Sequence, residues 1–293
     1  MMNVFERFPS HDCFGVKITP MTQADLLTLY RDRINARIQC VTAYQNMHGL
    51  HVRLRDAALD RLHRLPNTFV YIDGMPLVLL SRMAGIDATR AHRVTFVDFI
   101  WSLFGLADRE KWRIYYLGAS KDVLADGLTA IRKRLPSLEI IGHSGFFDAG
   151  DAAANRHILD EIAAFRPDLV IVGMGMGRQE SWIYDNLAEL APASVCAVGA
   201  LIEYIAGAVP VPPRWMGRMG LEWAFRFLSD PKRFWFRYLV EPWVVAVAMI
   251  RHVAQRPSSD FPITIDSLLM GPVTASQPPA STPVSDPIAT PLP

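Results

Sequence analysis

Leu169-Val170-Ile171-Val172-Gly173-Met174-Gly175-Met176-Gly177-Arg178-Gln179-Glu180 is the stretch on which the fold turns. Four apolar residues, three of them β-branched, suit a short strand buried on both faces, as in a parallel sheet. The glycines that follow let a ligand approach the backbone closely, and the N-terminus of the next helix favours an anion. The spacing is Gly-x-Gly-x-Gly after a late strand, with no ribose-binding acid downstream, so it is not the dinucleotide fingerprint. Read alone, the turn is either a tight strand-to-helix connection or a loop in which Gln179 and Glu180 hydrogen-bond a base or ribose.

The same alternation extends outward in both directions. Strand patterns are predicted at 38–42, 68–72, 113–117, 138–141, 169–172 and 195–198, and helix patterns at 22–36, 47–62, 77–83, 97–106, 121–135, 152–165 and 179–187. Strands alternating with helices predict an α/β fold: a Rossmann-like, mostly parallel sheet with helices on both faces. Ligands of such sheets bind beyond the carboxyl ends of the strands. That rule directs attention to Thr42, Asp73, Gly118, Gly142, Gly173 and Gly199.

Composition narrows the class. The 293 residues are 51% hydrophobic and carry a net charge of +1, which gives no global reason to expect nucleic acid as a partner. The charge is uneven. Residues 214–256 hold eight Lys/Arg against three acids, leaving the rest of the chain slightly acidic. That basic segment is also aromatic (Trp215, Trp223, Phe227, Phe234, Trp235, Tyr238), a combination suited to a membrane interface. Arg233 and Arg237 are four apart and share a helix face; Arg226 joins them only if Pro231 does not turn the chain. Asp230-Pro231 reads as a helix start. Nine of the 21 prolines fall between Pro257 and Pro293. The predicted organisation is therefore an α/β domain over 1–208, a helical, membrane-associating appendage over 209–255 and a disordered Pro-rich tail over 256–293. No apolar signal core opens the chain, and no uncharged run approaches the ~20 apolar residues of a membrane span.

The candidate chemistry is sparse. Asp73 ends the apolar run 68–72 and precedes Gly74. It is either a turn or N-cap residue, or an ionised carboxylate at the sheet mouth that could act as a general base. Cys13, Cys40 and Cys196 are too scattered for a disulfide framework, and Cys40 and Cys196 sit in apolar runs as small core residues. The eight histidines show no ligand spacing beyond His48/His51, which reads as a solvated helical pair, and there is no Asp-x-Asp pair, so no metal and no cofactor is expected.

In order along the chain, Val41-Thr42 with Asn46, Tyr71-Ile72-Asp73-Gly74-Met75-Pro76, Leu117-Gly118-Ala119, Gly145-Phe146-Phe147, Val172-Gly173-Met174-Gly175 with Arg178-Gln179-Glu180, Val198-Gly199-Ala200 and Gly220-Leu221-Glu222-Trp223 resemble the WecG/TagA/CpsF glycosyltransferases, glycosyltransferase family 26. The resemblance runs from about Gly15 to Tyr238 and includes Arg226, Pro231, Arg233 and Arg237. It implies a metal-independent, inverting transfer of a hexose or N-acetylhexosamine from a UDP-sugar to a polyprenyl-diphosphate-linked saccharide. By that resemblance Asp73 is the general base. Thr42, Asn46, Gly118, Gln179, Gly199 and Glu203 lie on the donor side, and Arg226, Arg233 and Arg237 bind the phosphate or lipid diphosphate. The family's members are peripheral membrane proteins and several self-associate, which implies the cytoplasmic face of the inner membrane and a homo-oligomer. Tyr44 stands where the family usually has Asn, Phe96 where Gly is common, Gly177 where Pro is usual and Glu203 where Asp is typical. The Asp-Gly-Met-Pro wording leans to the exopolysaccharide branch rather than the teichoic-acid N-acetylmannosaminyltransferases. A reading from another class is a non-catalytic nucleotide-sugar or lipid-binding subunit of a polysaccharide assembly complex; Asp73 together with the arginines favours turnover.

Overall fold

The computed structural model describes residues 4–212, 216 and 222–254. Its centre is a six-stranded, all-parallel sheet in the order β4-β3-β8-β7-β5-β6, formed by β3 (Val41–Gln45), β4 (Thr68–Ile72), β5 (Arg113–Gly118), β6 (Glu139–His143), β7 (Leu169–Gly173) and β8 (Ser194–Ala197). A small antiparallel hairpin, β1 (His11–Cys13) and β2 (Val16–Ile18), precedes it. The hairpin was not legible in the sequence, because three-residue strands carry too little pattern to register.

Successive strand residues point to opposite faces, and both faces are covered. Cys40, Phe69, Ile114, Tyr116, Leu169 and Ile171 pack with Leu26, Leu29 and Tyr30 of α2 (Gln23–Asn35) and with residues of α6 (Phe96–Glu110) and α7 (Lys121–Arg134). Val41, Ala43, Tyr115, Leu117, Val170 and Val172 pack with Ile158 and Ile162 of α8 (Ala152–Phe165) and Trp182 and Ile183 of α9 (Arg178–Asn186). Two layers of helix around one sheet is the predicted architecture. α2 begins where Thr22 and Asp25 form a capping box, and its buried residues recur at helical spacing.

Several boundaries differ from the sequence reading; the helix expected over 97–106, for one, runs on to Glu110. The first strand spans Val41–Gln45 rather than 38–42, because Arg37 at φ 54° ends the preceding helix and leaves Ile38 half exposed in the connection. The helix predicted over 47–62 is two, α3 (Met47–Arg53) and α4 (Ala57–Arg64). Arg55 and Asp56 both donate to the Val52 carbonyl in a turn, and Arg53 reaches across it to Asp60 at 2.7 Å. The helix predicted over 77–83 starts two residues earlier as α5 (Met75–Met83), with Pro76 in its first turn. α1 (Val4–Arg7) and α10 (Leu201–Ile205) complete the α/β part.

The appendage is helical, as expected, and its described residues include α11 (Glu222–Ser229), α12 (Pro231–Leu239) and α13 (Glu241–Ala254). Asp230 caps α12 by accepting from the Arg233 N–H at 3.1 Å. Pro231 does turn the chain, so Arg226 and Arg237 belong to different helices. α13 is not a free strap: Val245 is buried against Cys13, Leu50, Leu77 and Val78. The Pro-rich tail lies outside the described residues.

At the carboxyl ends of β5 and β7, Gly118 stands opposite Gly173. A Cβ on Gly118 would overlap the Gly173 carbonyl, whereas one on Gly105, in α6, would meet only the tip of Arg109 at 3.6 Å. Gly118→Ala should therefore cost about 1–3 kcal/mol by overpacking, and Gly105→Ala should gain about 0.5–1 kcal/mol. Thermal melts of the two variants should shift in opposite directions.

Candidate active site

β3 and β4 run in step, Val41 opposite Thr68 through Gln45 opposite Ile72, so the residues just past each strand end, Asn46 and Asp73, stand side by side. The Asp73 N–H donates to the Gln45 carbonyl at 2.8 Å. Asn46 caps α3: its Oδ1 accepts from the Gly49 N–H at 3.0 Å. That leaves its amide nitrogen to donate to Asp73 Oδ2, also at 3.0 Å. Asp73 itself caps nothing. Gly74 occupies the N-cap position of α5, with no side-chain cap bond. Asp73 is therefore not the N-cap of α5, and its carboxylate is held by Asn46 instead.

Two cavities meet at this carboxylate. One, of ≈ 330 Å³, is lined by Asn46, His48, Arg93, Glu222, Trp223 and Tyr238, and the other, of ≈ 130 Å³, by Tyr44, Tyr71, Phe96, Ala200 and Tyr204. Asp73, Asn46, Arg226 and Arg237 line both. Burial pushes the Asp73 carboxyl above its ordinary range, and Glu222 adds to the shift. The Asn46 hydrogen bond and the Arg226 and Arg93 charges oppose it.

The appendage supplies the positive charge. Arg226 lies over the Tyr204 ring, 5.6 Å from its centroid, and its buried Nε has no hydrogen-bond acceptor among the described residues. A half-buried guanidinium whose buried Nε is an open donor beside a cavity is suited to an incoming anion such as phosphate. Arg93 is tied to Glu222. Arg237 reaches the cavities, but Arg233, one turn earlier, is exposed and lies against the Phe234 ring.

The remaining residues named from the sequence lie deeper. Gln179 is fully buried: its Oε1 accepts from the Gly199 N–H at 2.9 Å and its Nε2 donates to Glu180 Oε1 at 2.7 Å. Glu180 also accepts from the Gly177 N–H at 2.6 Å, and burial pushes its carboxyl up to about 7. This chain of bonds joins the glycine turn after β7 to the turn after β8. Gly199, at φ 61°, sits between cavity residues Val198 and Ala200, and a Cβ there would come 2.7 Å from the Tyr44 hydroxyl. Thr42 is buried and shares a short hydrogen bond with the Tyr30 hydroxyl. Gly118 lies beneath, against Gly173, and Glu203 is half-buried outside both cavities.

Sequence reading missed four site residues. Arg93 and Glu222 come together from positions 129 apart. His48 and Glu241 are 2.8 Å apart, with Glu241 only 4% exposed, and they fasten α13 to the cavity wall. His48 and His51 are thus not a solvated pair. α12 and α13 cover that face of α3, and Phe236 meets the His51 ring edge-on. Burial holds the His48 imidazole below its ordinary range, and Arg237 lowers it further. Nothing local in the sequence could signal these pairings.

Comparison with known proteins identifies the family. Residues 11–259 match the family described as the glycosyl transferase WecG/TagA/CpsF family. An N-acetylglucosaminyldiphosphoundecaprenol N-acetyl-beta-D-mannosaminyltransferase of Bacillus spizizenii is 31% identical over 190 residues, which cover 64% of this chain and 71% of that protein. The Staphylococcus aureus protein of the same name is 27% identical over 232 residues, covering 76% of this chain and 85% of that protein. With a matched region that takes in Asp73, the glycine turn and the arginines of the appendage, the chain belongs to the WecG/TagA/CpsF family and is a glycosyltransferase.

Proposed function

We propose that the chain transfers a hexose or N-acetylhexosamine from a UDP-sugar to a polyprenyl-diphosphate-linked saccharide, with inversion and without a metal, in surface polysaccharide synthesis. The observation that carries this reading is the raised-pKa carboxylate of Asp73, held by Asn46 in the same cavities as Arg226 and Arg237. The acceptor hydroxyl attacks the anomeric carbon from the face opposite the nucleotide. As the new C–O bond forms, the hydroxyl proton passes to Asp73. The bond from the anomeric carbon to the diphosphate breaks, and UDP departs with the electron pair. Arg226 and Arg237 stabilise the charge that develops on the diphosphate, the task a metal ion performs in other nucleotide-sugar enzymes. Gln179 and Thr42, being buried, act by holding Gly199 and by fixing β3 to α2 rather than by touching the donor. The relatives named above act on a diphosphoundecaprenol-linked sugar, which supports the acceptor class. Tyr44 and Phe96 line the smaller cavity and are the residues through which the donor sugar is selected. The exopolysaccharide branch remains our reading of the pathway.

The acceptor class also explains the outer surface of the appendage. Trp223, Trp235, Leu239, Trp243, Val247 and Ile250 are exposed on α11–α13, beside exposed Lys232, Arg233 and Arg251. Among the described residues no helix is long and apolar enough to cross a membrane. Aromatic and basic side chains together suit peripheral docking on an anionic leaflet, the cytoplasmic face of the inner membrane, where a lipid diphosphate is presented.

Purified protein offered a panel of UDP-sugars and polyprenyl-diphosphate saccharides in EDTA should transfer one sugar, and Asp73→Asn should lower kcat about 10²–10⁴-fold with donor binding intact. Full transfer by Asp73→Asn would remove it as the base, and donor binding without any transfer by wild type would favour a binding subunit. Because the base acts ionised and its pKa is raised, the rate should fall with acidification at a pH above the ordinary aspartate value of about 3.9. Arg226→Ala should cost about 10²–10³ in kcat, whereas Arg233→Ala should leave kcat nearly unchanged. In flotation with anionic liposomes, Trp235→Ser/Trp243→Ser/Ile250→Ser should stay with the soluble fraction while wild type floats.

A further inference from the structure

The free edge of the sheet, far from Asp73, carries a cluster that the transfer reaction does not use. His143 ends β6, and His157 and Glu161 lie one turn apart on α8. One ligand atom from each falls within 4.8 Å of the others. We propose that these three side chains form a transition-metal site, of zinc type, that ties the end of β6 to α8.

Two of the three ligands are already oriented by outer partners. His143 Nδ1 lies 2.9 Å from the Ser144 carbonyl. A carbonyl only accepts, so Nδ1 carries the proton and Nε2 offers its lone pair. Glu161 Oε2 accepts from the Tyr115 hydroxyl at 2.8 Å, and Tyr115 belongs to the buried core of β5. That bond leaves Oε1 free, and it faces His157 Nε2 at 3.4 Å. Imidazoles held by a carbonyl, and carboxylates held by a second hydrogen bond, are the outer shell of metal ligands. The His143 and His157 rings meet edge to face, at 80° with centroids 6.2 Å apart, and a ligand atom of each lies within 4.8 Å of the other. His157 is exposed, and its side chain can swing inward to bring the three atoms to tetrahedral spacing.

Two imidazoles and one carboxylate select a borderline-soft cation such as Zn²⁺ over Mg²⁺ or Ca²⁺, with water as the fourth ligand. The role is structural. β4, which leads to Asp73, and β6 are opposite edges of the six-stranded sheet, five strand spacings or roughly 24 Å apart. A metal here braces the chain between β6 and α8. That segment includes Phe147, whose carbonyl accepts from Arg178 at the start of α9.

The test uses full-length, tag-free protein stripped with EDTA. Calorimetric titration with ZnCl₂ should show one site, and Zn²⁺ but not Mg²⁺ should raise the melting temperature. Co²⁺ should give the visible absorption of a tetrahedral complex. His143→Ala, His157→Ala and Glu161→Gln should each weaken Zn²⁺ binding at least about tenfold, while His92→Ala leaves it unchanged. Absence of saturable Zn²⁺ binding, or binding untouched by His143→Ala/Glu161→Gln, would overturn the proposal. None of these readouts involves sugar transfer, so the site stands or falls separately from the proposed reaction.

Discussion

The parallel register of β3 against β4 is the constraint from which the candidate site follows. Because Gln45 lies opposite Ile72, both strands end at one level, and Asn46 and Asp73 become neighbours. A slip of one residue would send alternate side chains to the wrong face and part the pair. The register is secured by burial on both faces, since all five residues of β4 are buried and four of five in β3. Asn46 then converts register into chemistry. One end of its amide is spent on capping α3, so the other end must face the carboxylate.

Without the appendage Asp73 would keep the Asn46 hydrogen bond and the Arg93 charge but lose the Arg226 charge. α11 and α12 bring Arg226 and Arg237 over it, and Glu222 holds Arg93 at the same mouth. Opposed charges enclosed in one cavity tune one another. Burial raises the carboxyl, while the Asn46 hydrogen bond and the Arg226 and Arg93 guanidinium charges restrain the rise. The appendage is in turn anchored by Val245 in the core and by the His48–Glu241 pair. The elements that face the membrane in our proposal are thus the ones that complete the site. A lipid-linked acceptor needs that coupling.

The sheet's two edges divide the labour. At the β4 edge, loops and appendage enclose the carboxylate. At the β6 edge, His143, His157 and Glu161 converge from a strand end and a helix face. An edge strand exposes unpaired backbone, and a cross-link from its end to a covering helix restrains fraying there.

Much of the fold was legible because burial imposes periodicity. β-branched runs of four to six residues, separated by amphipathic helices, leave few arrangements other than a covered parallel sheet. Asp73 and the glycine turn were legible too, since a polar or flexible residue at the end of an apolar run stands out locally. The break at residues 54–56 and the strand shift to Val41–Gln45 were not, because tertiary contacts rather than propensity set those ends. The ordered motifs in the chain were enough to identify the family and the reaction class. Only the tertiary structure decided that Asn46 holds Asp73, that Arg226 and Arg237 rather than Arg233 line its cavities, and that His48 meets Glu241. It alone brings His143 to His157 and Glu161. These are pairings between residues that lie far apart in sequence or on different elements, and a sequence records the residue types but not the distances at which folding sets them.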